Sequence, residues 1–306
     1  METAFARFLA GIGHRVVTTG SGEWFDAGPR FFLNLPFHRT ITPASAELRQ
    51  VFHAGGALGV RFVAPLDGPG RLSYQIVCDA KPYDLEQLSA NTRSKIRRGL
   101  RRCHIEPAPC ALVAEQGWPA HVDTLRRQGR LVRDDEAARR QWRRYWAAAA
   151  STPEITVWTA TVDGQLAAYL LTIAIEDRVE FLQARSCDSL LSSYPNNALI
   201  YAVTRDTLAR AEVSEITFGL ESLEAVDALD QFKFAMGFRR RPLRQRVVTR
   251  AGLGRLLQHP AVLRAVRWRA QQPAAHPRWR KLAGIIEFMR EDATAAPSHG
   301  ATTAVH

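Results

Sequence analysis

Several residues of this 306-residue chain are of types, and at positions, that could do chemistry. Ser193-Tyr194-Pro195-Asn196-Asn197 opens a helical stretch, ALIYAVTRDTLA, shortly after a strand-like segment. The first amides of a helix lack partners within it and the dipole is positive there, so such a start binds phosphate. Ser193, Asn196 and Asn197 are the groups that would hold the anion. The competing role of Pro195 and Asn196 is to begin and cap the helix. Two carboxylates could accept a proton: Glu221, just beyond the strand-like EITFGL, and Glu180, inside VEFLQARS with Phe181 on the opposite face. Glu221 has the better position because strand ends border clefts in α/β sheets, although a solvated carboxylate at a helix start accounts for it equally well. Tyr194 could donate a proton, as could Tyr201, which falls inside the helix and reads as core. Lys233 in DALDQFKF could hold a phosphate or polarise a carbonyl as a point charge. It could also simply pair with Asp230, worth only ~0.2–0.5 kcal/mol.

Arginines form the other notable set. LSANTRSKIRRGLRRC carries six basic residues between Arg93 and Arg102. Arg93, Arg97 and Arg101 stack at i, i+4 and i+8, where like charges repel, so a nearby anion would relieve them. A solvated basic face is the plainer reading. Arg185, in VEFLQARS, joins the candidate substrate-binding set. No serine–histidine–acid signature occurs, the nine histidines are scattered, and no C-x-x-C spacing links the four cysteines. No metal site or disulfide framework is expected, which fits a reducing, cytoplasmic compartment.

The elements that must position these residues are legible from periodicity. ITVWTATV, Asp163-Gly164 and QLAAYLLTIAI read as a β-hairpin. A third strand (VEFLQARS), a helix, the strand EITFGL, a further helix and RPLRQRVVTR complete the order β-β-β-α-β-α-β. Upstream, residues 116–150 read as two helices, with Trp142, Tyr145 and Trp146 on one face to pack against the sheet. The segment 93–102 reads as an amphipathic helix capped by Ser89 or Asn91. GVRFVAPL and RLSYQIVC read as strands, and the first residues as an amphipathic helix, not a signal peptide.

YPNNALIYAVTRDTLA, EITFGLES and DQFKFAMGF together resemble the GNAT acyltransferases, and within them the Fem-like branch of aminoacyl-tRNA-dependent transferases and their acyl-CoA-using relatives. The matching residues are Pro195 with Asn196 and Asn197, Phe218-Gly219, Phe232-Lys233 and Gly237-Phe238. The resemblance implies a mixed α/β GNAT-like fold of two tandem halves, the first degenerate, with a basic helical C-terminal extension. The boundaries would be a degenerate half over 1–110, connecting helices over 111–150, a GNAT-like half over 151–250 and the extension over 251–306. It also implies acyl transfer to an amine by direct attack, with Glu221, Tyr194 and Lys233 as catalytic groups and acyl-CoA as a co-substrate that is not tightly bound. Where ordinary GNAT enzymes grip pyrophosphate with a glycine-rich turn, SSYPNNA has no glycine, and close backbone approach is harder without one. That departure puts acetyl-CoA in question and shifts weight toward the Fem-like branch, with an aminoacyl-tRNA-dependent transferase acting on a cell-envelope precursor as the alternative. It also keeps open a non-catalytic scaffold.

Composition adds a partner. Arg239 to Arg290 holds 14 basic residues against one acid, Glu287, whereas the whole chain has 41 and 30 and a net charge of +11. The excess therefore lies in the C-terminal part, and the rest is slightly acidic. A one-sided block of this kind attracts an anionic partner. LGRLLQHPAVLRAVRWRA and PRWRKLAGIIEFMR pair arginine with tryptophan as interfacial helices do, so residues 251–290 are expected to touch the inner membrane face peripherally. Binding of tRNA is the alternative, and a disordered Ser/Thr/Ala/His tail is expected at the end.

Overall fold

The computed structural model describes residues 3–28, 30–223, 227–272 and 277–295. Thr3 caps α1 (Ala4–Gly11) by accepting from the Ala6 amide. Then come β1 (Val16–Thr19), β2 (Gly22–Asp26), β3 (Phe31–Leu35), α2 (Ser45–Ala54), β4 (Gly59–Ala64) and β5 (Arg71–Cys78). Helix α3 (Ala90–Arg102) starts at Ser89, whose hydroxyl accepts from the Thr92 amide. It is followed by β6 (His104–Ala108), α4 (Cys110–Gln116), α5 (Trp118–Arg127) and α6 (Glu136–Ala150).

The order read from the sequence then appears in full. It comprises β7 (Ile155–Val162), β8 (Gln165–Ile175), β9 (Arg178–Ser186), α7 (Pro195–Leu208), β10 (Glu215–Leu220), α8 (Asp227–Ala235) and β11 (Arg239–Thr249). Asp163 and Gly164 turn the β7–β8 hairpin with φ of 49° and 77°, the left-handed pair that a two-residue hairpin needs. The basic C-terminal segment forms α9 (Leu253–Gln258), α10 (Pro260–Gln271) and α11 (Pro277–Ala295). Two short helices were expected there. Pro260 splits the first of them, because its ring ends α9 and suits the first turn of α10. Helix α11 also runs on through EDATA, and the tail expected to be disordered lies outside the described residues after Ala295.

The chain folds as two compact units that are not successive stretches: residues 1–18 with 75–241, and 19–74 with 242–306. In the first, β10 runs antiparallel to β5 and parallel to β9, and β9, β8, β7 and β6 follow as antiparallel neighbours. β8 is central and reads accordingly: Leu166 to Ile173 are all buried, a continuous run instead of an alternation. Helix α7 packs on this sheet with Ala198, Leu199, Ile200 and Val203 buried. Trp142 and Trp146 of α6 stack edge-on against Tyr169 of β8, the packing role read from their spacing.

The second unit orders β2, β3, β4 and β11, with β3 and β4 parallel and the other pairs antiparallel. Trp24, Phe32, Leu35 and Val60 fill its core, together with Ile285 and Ile286 of α11. Among the described residues, no helix is long and apolar enough to cross a membrane.

Helix α3 lies against the start of α7 through Gly99. A Cβ there would fall 2.8 Å from both the Ala198 Cβ and the Tyr194 carbonyl oxygen. Alanine gains ~1 kcal/mol of helix propensity over glycine, but a clash with backbone costs ~1–3 kcal/mol. Gly99→Ala is therefore expected to lower stability, by roughly 1 kcal/mol net, in denaturant unfolding.

Candidate active site

The site begins with two strands that part. β9 and β10 pair in parallel from Glu215↔Arg178 to Thr217↔Glu180 and no further. Beyond Thr217 the register of β10 against its other neighbour, β5, also shifts, from Thr217↔Val77 to Leu220↔Gln75. Gly219 makes the shift possible: its φ is 80°, and its amide donates to the Thr217 hydroxyl at 2.9 Å. Three rings occupy the fork. Phe181 meets Phe218 edge-on at 5.2 Å, and Phe238 stands 4.8 Å from Phe218 and 6.1 Å from Phe181. At the closed end Arg178 of β9 donates to buried Glu215 of β10 at 2.5 Å, and Arg241 pairs with the same carboxylate.

A cavity of about 430 Å³ opens between the parted strands. Its polar wall carries Arg127, Arg130 and Arg185, while Asn196 of α7 and Lys233 of α8 line it elsewhere. Phe181, Phe218 and Phe232 give it an apolar side. Among the described residues no carboxylate lines it. Arg127 is held in place: its Nη2 donates to the Ser186 hydroxyl at 2.8 Å and the Thr124 hydroxyl at 3.0 Å, and it pairs with Asp188. Arg185 donates Nη1 to the Ala184 carbonyl at 3.0 Å, and its buried Nε has no partner. Burial holds the Arg185 guanidinium below its usual pKa, and the nearby Arg130 and Arg127 charges add to the effect. Burial likewise pushes His121 down to about 4, with Arg185 contributing, so that imidazole is neutral at neutral pH.

The expected site residues divide into two groups. Asn196, Lys233 and Arg185 come together on the cavity wall. The Asn196 amide donates to the Ser186 hydroxyl at 2.8 Å, and its Oδ1 is buried without a partner. Lys233 also binds Asp230 at 2.9 Å, so both of its alternative roles coexist, and its ammonium lies 5.4 Å from the Phe218 ring centre. The other group is not on the lining. Tyr194 caps α7 in a left-handed conformation beneath the Arg98 guanidinium, Ser193 is buried, and the Asn197 amide reaches the Met236 sulfur at 3.7 Å. Glu221 is half-buried just after β10. On α3, Arg93 donates to the Leu88 carbonyl at 2.7 Å, and Arg97 and Arg101 are exposed. Arg127 and Arg130 escaped the sequence reading because they come from α5 and the turn after it, where nothing in TLRRQGR separates a wall residue from a solvated one.

Residues 90–233 match the family model described as an acetyltransferase (GNAT) domain. This stretch of the chain is a GNAT-family domain. FemX has a similar fold, with a TM-score of 0.56 at 11% identity over 83% of this chain and 93% of that one. So does the C-terminal domain (DUF2156) of a protein described as a lysylphosphatidylglycerol synthetase from Agrobacterium fabrum, at 0.55 and 12% over 86% and 92%. L-PGS from Bacillus licheniformis gives 0.52 and 13% over 80% and 87%. At these identities the likeness is one of fold, and it is the Fem-like GNAT architecture expected from the sequence. No curated protein matches the chain by sequence. Within the GNAT domain, Phe218-Gly219 bends the strand, and Phe232-Lys233 lines the cavity.

Glu180 gives this site a pH signature. Burial raises its carboxyl from the ordinary 4.5 to about 8. The folded chain then keeps a proton that the unfolded chain releases above 4.5, so this residue costs stability as pH rises from 4.5 to about 8. Glu180→Gln removes that titration. It is expected to raise the melting temperature little near pH 5 and progressively more toward pH 8, with an equal shift at both ends refuting the assignment.

Proposed function

We propose that the chain transfers an acyl group to an amine on an anionic acceptor, by direct attack in the cavity between β9 and β10. The observation that carries this reading is the parted strand pair with a cationic, carboxylate-free wall and the start of α7 beside it. The amine attacks the acyl carbonyl carbon, negative charge develops on the carbonyl oxygen, and the donor's leaving group departs as the intermediate collapses. Lys233, on the cavity lining, is the proposed stabiliser of that oxygen. Cations around a bound ammonium lower its pKa, so the wall helps the amine to arrive neutral. Glu221, beside the open end of β10, is the proposed acceptor of the amine proton, and Tyr194, at the cap of α7, the proposed donor to the leaving group. Ser193, Asn196 and Asn197 at the start of α7 would hold donor phosphates through the free amides of that turn.

Acyl-CoA is the proposed donor, with aminoacyl-tRNA as the alternative suggested by the FemX and L-PGS folds. Calorimetric titration with acetyl-CoA and longer acyl-CoAs, and in parallel with charged tRNA, separates the two. Saturable CoA binding is expected. Salt-sensitive tRNA binding without CoA binding would move the chain to the aminoacyl branch, and silence in both would leave a scaffold. Lys233→Ala is expected to lower turnover by ~100-fold or more, the scale of losing one oxyanion donor.

A peripheral membrane contact is proposed for α9 to α11. Trp268 is 60% exposed and Leu256 58% exposed among the arginines of this segment, which suits an anionic interface. The full chain is expected to sediment with vesicles containing phosphatidylglycerol but not with pure phosphatidylcholine. Trp268→Ala should weaken that association several-fold.

A further inference from the structure

The charges on the cavity wall do not balance. Lys233 has Asp230, and Arg127 has Asp188. Among the described residues Arg185 has neither an ion pair nor a carboxylate beside it, and its one hydrogen bond uses Nη1. The edge formed by Nε and Nη2 makes no hydrogen bond among the described residues, and Nε is buried. Arg130, on the same wall, has no ion pair among the described residues and adds a second positive charge. The surroundings supply little compensation. Tyr145 and Tyr169, whose charges Arg185 would feel, are both held neutral by burial, and His121 is neutral as well. Arg185 is half-buried with its Nε shielded from water, and a charge held there is stabilised by an anion that meets it.

Resting on the reading of this cavity as the transfer site, we propose that the acceptor is an amine carrying a carboxylate, held side-on by the Nε–Nη2 edge of Arg185 with Arg130 beside it. Two parallel N–H donors in a plane match the two oxygens of a carboxylate. Phosphate is the other anion that such an edge can receive, and the titration below separates it from a carboxylate. The lining also holds Phe181, Phe218 and Phe232, so the acceptor joins a carboxylate to an apolar body.

The test measures binding without any donor, so it stands or falls separately from acyl transfer. L-phenylalanine, L-phenylalaninamide and inorganic phosphate are titrated calorimetrically into the full chain and into Arg185→Met. L-phenylalanine is expected to bind the native chain ~10-fold or more tightly than its amide, the scale of losing a charge-assisted hydrogen-bond pair. The methionine variant should lose that preference and melt at a higher temperature, because an uncompensated charge has been replaced by a side chain of similar volume. Equal or absent binding of acid and amide, tighter binding of phosphate, or a variant that melts lower than the native chain would each overturn the proposal.

Discussion

The parting of β9 from β10 is the constraint on which the rest of the site depends. Two forces set it. At one end, buried Glu215 is clamped between Arg178 of the neighbouring strand and Arg241, which fixes the register where pairing begins. A half-neutralised carboxylate at that depth would be expensive, so the clamp cannot slip by a residue without exposing the cost. At the other end the rings of Phe181, Phe218 and Phe238 cluster, and Gly219 bends β10 where its pairing with β5 becomes irregular. A pinned end and a wedged end leave a fork, and the fork is the cavity.

Everything chemical then follows from what the fork exposes. The far half of β9 no longer gives its outer edge to β10, and Gln183 and Arg185 line the cavity there. Helix α7 must begin beside that strand, because the chain crosses from β9 to β10 through it. Its first turn therefore delivers Asn196 to the cavity. Helix α5 docks on β9 through the Thr124 hydroxyl, which accepts from nothing else on the sheet but bonds the Ser186 backbone in both directions. That contact carries Arg127 to the rim, and Arg130 follows in the turn. The positive wall is thus a consequence of topology more than of any single motif.

Glu180 and Arg185 show opposite consequences of burial on one strand. Removal from water favours the neutral form of each, which raises the carboxyl and lowers the guanidinium. The carboxyl can escape the cost by keeping its proton at neutral pH. Arginine cannot, and so its charge persists and seeks an anion.

The sequence by itself determined the order and kind of elements from Ile155 to Thr249, because the hairpin turn, the apolar run of β8 and the caps are local signals. It also singled out Phe218-Gly219, Asn196 and Lys233 through their resemblance to GNAT proteins, and it located the positive charge of the C-terminal segment. It could not group residues 19–74 with 242–306, since that depends on pairing between strands far apart in the chain, such as β4 with β11. Nor could it separate Arg185 from Arg93, Arg97 and Arg101. All four are arginines in amphipathic settings, and only the fork in the sheet decides which one lines the cavity with no counter-charge among the described residues. Tertiary structure decided the electrostatics because burial, unlike periodicity, is a property of neighbours that the local sequence does not encode.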